Sequence, residues 1–399
     1  MSGSSDSGPG VTAHLDGASS TLVRDALDTG EPLPGTAGFA GEIDDSLVRD
    51  VLGRRPLFVD ASDPAQWSFV PTSLENPVSV RAGTATRVGT ASGSADPQWT
   101  LPDPTPATDR DAALAAVRDA VRERTRAVGA DGDHGVVGTR TDDEDAGKKR
   151  HGDVAVAFSG GVDSGVVAAG VPDAPCYVAG FEGCHDIAAA RDAATTMDRD
   201  LRVVELSHAD LREAVPRLAD ALGRTNPMDL SIAVPLLLVA ERVAADGYDR
   251  LALGQGADEL FGGYAKVQKA PDDPRVEADS VRGARRELLG TIPEQAERDV
   301  LAIRLGGVEP VTPLLHDDVV AAALPLPESL LVDSEARKVA LREAARGFVP
   351  DTVRTADKKA VQYGTYVSRE LDRLARQAGF KRRMDNHVER YVKSLVADV

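Results

Sequence analysis

Residues 154–158, VAVAF, form a continuous apolar run that stops abruptly at SGGVDSG. A run without polar alternation suits a strand buried on both faces, and such strands belong to parallel sheets covered by helices on either side. CYVAGF (176–181), LRVVEL (201–206) and RLALGQG (250–256) have the same strand-like texture. Between them, VDSGVVAAG, AAARDAATTM and IAVPLLLVAERVAAD read as helices. The alternation predicts an α/β fold, a parallel sheet with flanking helices. Beyond Tyr264, SVRGARRELL, EQAERDVLAIRL, SEARKVALREAARGF and VSRELDRLARQA predict a helical C-terminal part.

The first hundred residues differ in kind. RPLFVDA, QWSFVP, NPVSVRAG and TATRVGT are short and turn-rich, which predicts a small β-rich region. Met1 to about Gly17 is Ser/Gly-rich and reads as a mobile tail. DPQWTLPDPTPATD has the proline content of a stiff linker. An amphipathic helix is then expected over 109–128, with Thr108 as its cap, followed by a polar, glycine-rich insertion at 129–152 that reads as disordered. The expected division is 1–105 and 106–399.

Charge narrows the functions open to the chain. Its 399 residues carry 46 Lys plus Arg against 64 Asp plus Glu, a net charge of -18. A strongly basic nucleic-acid-binding domain is excluded, because phosphate binding draws on positive charge. No apolar run is long enough to span a membrane. The two cysteines, Cys176 and Cys184, suit neither a disulfide framework nor a CxxC metal knuckle. The N-terminus lacks a basic segment followed by an apolar one, and Arg54-Arg55 lies too deep for an export signal, so a cytoplasmic location is expected.

FSGGVDSG, between a strand and a helix, is the sharpest chemical signal. A glycine-rich turn at a helix N-terminus presents unpaired N–H groups and the positive end of a dipole, which suits phosphate. Val166 stands where a Walker A motif needs lysine, and Glu259 replaces the third glycine of a dinucleotide fingerprint. Asp163 beside a phosphate site is repulsive unless a divalent cation lies between them, so Mg²⁺ is implied. LALGQGADELFGGY, again at a strand end, brings Asp258 and Glu259. Either glycine-rich stretch alone would pass for a tight turn. Two at strand ends, each with an acid, predict one shared metal site for Asp163 and Asp258.

Taken with AGFEGCHD, KVALREAARGFVP and DKKAVQYG, these motifs resemble the synthetase domain of the asparagine synthetase family, a member of the PP-loop ATP pyrophosphatases. The resemblance covers about 106–364. It implies cleavage of ATP to AMP and pyrophosphate, attack of the aspartate side-chain carboxylate on the α-phosphate, and displacement of AMP by ammonia. By the same resemblance Ser159, Gly160, Gly161, Asp163 and Ser164 would bind pyrophosphate, and Phe158 and Ala179 would pack around adenine. Asp186 matches an acidic position after the second strand. Gly254 matches a backbone contact to nucleotide, and Asp186 and Gln255 would join the nucleotide site. Asp258 matches a second Mg²⁺ ligand. Lys358, the family's catalytic lysine, would act with Asp258 and Glu259 as the catalytic residues.

The departures are equally specific. Glutamine-dependent members carry a nucleophilic Cys after the initiator Met; Ser2 stands there, and no cysteine precedes Cys176. The resemblance therefore implies free ammonia, or a separate glutaminase as partner, and the region before residue 105 reads as a shortened relic of the glutaminase domain. Gln255 occupies a position usually held by Glu, and an amide cannot take a proton. The family's RVPFLD appears as VTPLLH (311–316), without its charged residues. Another adenylating ligase, forming a different amide or a lactam, and a non-catalytic ATP-binding relative are the alternatives.

Several features need no special role. The histidines show no paired ligand spacing, Glu259 would also serve as a helix N-terminal charge, and Lys359 is read as a solvated neighbour of Lys358. The excess of acids over bases, with lysine scarce beside arginine, is the composition expected of adaptation to high salt, where the Debye length falls to about 3 Å at 1 M. Refolding yield should therefore climb with KCl concentration. Full recovery in dilute buffer would contradict salt adaptation.

Overall fold

The computed structural model describes residues 13–90, 96–129, 153–265, 267, 280–334, 336–356 and 361–397. The insertion expected to be disordered falls, but for Gly129, outside the described residues, as do Lys358 and Lys359.

Among the described residues, the N-terminal region contains seven strands: β1 (His14–Asp16), β2 (Ala40–Ile43), β3 (Ser46–Arg49), β4 (Phe58–Asp60), β5 (Trp67–Ser68), β6 (Pro77–Ser79) and β7 (Thr84–Arg87). They form two antiparallel sheets, ordered β1-β2-β3-β7 and β5-β4-β6. Asp44 and Asp45, both left-handed at φ 49 and 60, make the two-residue turn between β2 and β3. That geometry matches the right-handed twist of a hairpin. Two features were not expected. β1 lies inside the stretch read as a mobile tail, where pairing with β2 fixes it. A helix, α1 (Ser20–Thr29), capped by Ser19, buries Val23 and Ala26 in the same small core as Phe39 and Trp99.

The second region begins with α2 (Arg110–Ala127), capped by Asp109 rather than Thr108: the Asp109 carboxylate accepts from the N–H groups of Asp111 and Ala112. Alternation then follows in β8 (Val154–Ala157), α3 (Val162–Gly170), β9 (Cys176–Gly180), α4 (His185–Met197), β10 (Leu201–Glu205), α5 (His208–Leu222), α6 (Pro227–Ala245), β11 (Arg250–Ala252) and α7 (Ala257–Phe261). Helices α8 (Val281–Leu289) and α9 (Ile292–Leu305) precede β12 (Glu309–Val311). The chain closes with α10 (Asp317–Ala323), α11 (Glu328–Leu331), α12 (Val339–Ala344), α13 (Asp351–Arg354), α14 (Val361–Gly364), α15 (Val367–Gln377) and α16 (His387–Ala397). Among the described residues, no helix is long and apolar enough to cross a membrane.

The expected parallel sheet is present, ordered β10-β9-β8-β11-β12 with every pairing parallel. Its period-two alternation feeds two cores. Val156, Phe158, Cys176, Val178 and Ala252 face one core with α2, α3 and α4; Ala155, Tyr177, Ala179, Leu251 and Leu253 face the other with α5, α6 and α15. Pro310 is tolerated in β12 because that strand is an edge. One helix was over-read. SEARKVALREAARGF is helical only over Val339–Ala344, bracketed by bridges pairing Val332 with Arg337 and Arg346 with Val349. Pro350 stands at the N-cap of α13.

Buried ion pairs lock the two regions together. Arg54 reaches Asp50 Oδ1 at 2.8 Å and Asp317 Oδ1 at 2.7 Å, and Asp317 Oδ2 accepts from the backbone N–H groups of Gly35 and Thr36. Arg49 pairs with Glu297 at 2.9 Å, and Glu297 also accepts from Arg224. VTPLLH lost its charges, but Asp317, the next residue, supplies a buried one. Removing one partner of such a network strands the other without water. Asp317→Ala should lower unfolding free energy by about 3–5 kcal/mol, the scale for a broken buried pair. Urea unfolding measures this; a loss below about 1 kcal/mol, the scale of an exposed pair, would show that the latch carries no load.

Candidate functional site

β8 and β11 lie side by side, with Val154 opposite Arg250 and Val156 opposite Ala252, although β9, β10 and their helices intervene in the chain. The connection out of β8 runs to one side of the sheet and β11 lies on the other, so the crevice opens between these two strand ends. Their turns are the two glycine-rich motifs.

The turn after β8 is shaped by sterics. Gly160 has φ 79, and a Cβ there would sit 2.5 Å from the Ala189 carbonyl oxygen on α4. Ser164 Oγ accepts from the Ser159 N–H at 3.2 Å and donates to the Gly161 carbonyl at 3.3 Å, folding the turn onto itself. Gly161 caps α3 without a side-chain hydrogen bond, so the first-turn N–H groups carry no side-chain cap. Gly254, at the end of β11, presses on this turn: a Cβ there would lie 2.7 Å from the Asp163 carbonyl carbon. Only glycine lets the two backbones meet so closely.

The approach brings Asp163 and Asp258 to one point. Lys338 Nζ donates to Asp163 Oδ2 at 2.6 Å and lies 2.8 Å from Asp258 Oδ1. Burial works against the lysine's charge, and the two carboxylates overcome it, holding its pKa above the ordinary lysine value. One ammonium thus joins both acids, so the two carboxylates lie close enough to share a cation. Lys338 fills the bridging position, and a Mg²⁺ ion would have to approach the pair from another side. Two carboxylates are all the protein needs to offer, since Mg²⁺ takes its remaining ligands from phosphates and water. Among the described residues, no group of three or more His, Cys, Asp or Glu side chains is placed to hold a metal alone.

The other expected residues are distributed as follows. Ser159, Gly160, Gly161 and Ser164 line the turn. Phe158 and Ala179 are buried in opposite cores, so the structure does not bring them together around one ring. Asp186 is buried in the first turn of α4, beneath Gly364, where a Cβ would run into its carboxylate. Glu259 is buried as well; it accepts from the Tyr264 hydroxyl at 2.6 Å, and burial raises its pKa. Gln255 donates through Nε2 to Asp299 Oδ2. Arg298 holds the same Asp299 at 2.7 Å and reaches Asp229 at 3.3 Å.

Lys338, Arg298, Asp299 and Asp229 were not singled out from the sequence. Lys338 heads the motif KVALREAARGFVP, but nothing local marks it for a partner 175 positions away. Glu297, Arg298 and Asp299 are three consecutive charges on α9, and all three are buried. Their sequence spacing suits an exposed helix face equally well, so only the tertiary packing reveals them.

The asparagine synthase family model matches residues 148–306 and 285–394, more than half of the chain. A Methanocaldococcus jannaschii protein bearing the name of a glutamine-hydrolysing asparagine synthetase is 27% identical over 282 residues, 61% of this chain and 52% of that protein. The glutamine-hydrolysing asparagine synthetase B of Escherichia coli K12 is 23% identical over 232 residues, 52% of this chain and 41% of its own. The chain thus spans about half the length, or less, of these relatives. A solved NMN synthetase from Francisella tularensis aligns with a TM-score of 0.31 at 10% identity over 73% of this chain and 94% of its own, a loose likeness that adds nothing to the family match.

Proposed function

Because the chain belongs to the asparagine synthase family, we propose that it is an ATP-dependent ligase that converts aspartate to asparagine through a β-aspartyl-AMP intermediate. The observation that carries this reading is the meeting of Asp163 and Asp258 at one cation position beside the SGGVDS turn.

In the proposed reaction, the turn at 159–164 binds the pyrophosphate portion of ATP through backbone N–H groups and the two serine hydroxyls. Mg²⁺ held by Asp163 and Asp258 would neutralise charge on the phosphate oxygens. The aspartate β-carboxylate attacks the α-phosphorus, pyrophosphate departs, and an acyl-adenylate remains. Ammonia then attacks the acyl carbon and AMP leaves with one former carboxylate oxygen. Ammonia is the proposed nitrogen donor, free in solution or delivered by a separate glutaminase. Lys358 is assigned to the charge that develops on the α-phosphate, an interaction that acts on turnover more than on binding. Gln255, donating to Asp299, has no proton-accepting role. Glu259, shielded by Tyr264, supports the α7 turn instead of touching substrate. The protein is assigned to the cytoplasm.

A second reading keeps the adenylation and changes the acceptor. It is favoured by Gln255, a neutral amide that donates to the buried Asp299, which Arg298 holds in turn, at a position usually held by Glu. One experiment separates the two. Mg²⁺-dependent ATP–pyrophosphate exchange should be stimulated by aspartate, and Lys358→Ala should slow it by about 100-fold, the scale of one lost electrostatic donor, with Lys359→Ala much closer to wild type. Exchange driven only by another acid would replace aspartate with that acid. No exchange with any acid would overturn the ligase reading.

A further inference from the structure

Lys338 is buried between the two acids. Its side chain is 10% exposed, against 24% for Asp163 and 43% for Asp258, so the acids remain more open to solvent than the ammonium that joins them. Its placement is over-determined. Lys338 holds the left-handed conformation, φ 58, which an L side chain rarely adopts without compensation. Its carbonyl accepts from the Arg342 N–H at 2.9 Å as α12 begins. Gly263 closes over the pair so tightly that a Cβ there would meet both the Asp258 carboxylate and Lys338 Cε, and Arg337 fixes the Gly263 carbonyl at 2.6 Å.

An ammonium fixed in this way changes what the acids can bind. Two bare carboxylates would attract a divalent cation by themselves. With a lysine cation between them, the three groups together carry one negative charge, and an arriving divalent cation meets a positive neighbour. At an effective dielectric of about 20, a unit charge about 4 Å away changes an ion's affinity by well over tenfold.

We propose that Lys338 is a built-in counter-ion that makes Asp163 and Asp258 a half-site, which holds a divalent cation only when a polyphosphate supplies the missing charge and oxygens. Cation and nucleotide therefore enter together, and the two glycine-rich turns stay closed on each other in the free protein because the lysine suppresses repulsion between the acids. This inference rests on the nucleotide reading of the crevice. It assigns Lys338 a tuning role distinct from that of Lys358.

The test is Mn²⁺ binding to the full chain, followed by electron paramagnetic resonance with and without inorganic pyrophosphate. Wild type should bind Mn²⁺ weakly alone and at least about tenfold more tightly with pyrophosphate. Lys338→Met, its fold checked by circular dichroism, should bind Mn²⁺ alone at least about tenfold more tightly than wild type, and Lys338→Arg should restore the wild-type weakness. A folded Lys338→Met with wild-type Mn²⁺ affinity would overturn the counter-ion role. So would wild type that binds Mn²⁺ equally well without pyrophosphate, an outcome readable even if Lys338→Met fails to fold. Wild type that binds no Mn²⁺ with pyrophosphate present would overturn the nucleotide reading and this inference with it.

Discussion

β8 and β11 pair in parallel over three residues, Val154 with Arg250 through Val156 with Ala252, so the turns that leave them start level. Gly254 then meets the Asp163 backbone with no room for a Cβ. Each further feature of the site depends on that contact. It sets the SGGVDS turn against the GQGADE turn, carries Asp163 toward Asp258, and creates the concentration of negative charge that Lys338 offsets. The same contact explains why glycine recurs in both motifs. Gly160 makes room for α4, Gly254 for the Asp163 backbone, and Gly263 for the ion pair.

Strand texture made much of this legible. β8, β9 and β11 read as apolar runs because both faces are buried, and the crevice opens where the strand order reverses between β8 and β11. Other elements were hidden for physical reasons. β12 is three residues long with a central proline, so only its edge position permits it. Helix α5 contains Pro216 and is half polar, which masked its apolar stripe of Leu211, Val215, Leu218 and Leu222. α12 was over-read because helical composition runs through SEARKVALREAARGF, whereas tertiary pairing of Val332 with Arg337 and the left-handed Lys338 delay its start. Of the site, the residues in the two turns were readable from spacing. Lys338 was not, because its role exists only through a contact between distant segments.

The N-terminal region has a structural role. Its Arg49 and Arg54 are buried against Glu297 and Asp317, on elements that flank the parallel sheet. Glu297 is two residues from Asp299, the partner of Gln255, so a clamp from the N-terminal sheets bears on the helix that positions the Gln255 amide. Removing this region would strand Glu297 and Asp317 without their buried partners.

The central claim is that the clamped turns direct a carboxylate onto the α-phosphate of ATP, and the fate of oxygen tests it most directly. Aspartate labelled with ¹⁸O in its side-chain carboxylate would be turned over with ATP and ammonia, and the AMP examined by mass spectrometry. One labelled oxygen per AMP is the expected result, since the acyl-adenylate breaks at the acyl carbon. AMP formed at full turnover without label, or label in inorganic phosphate, would contradict it.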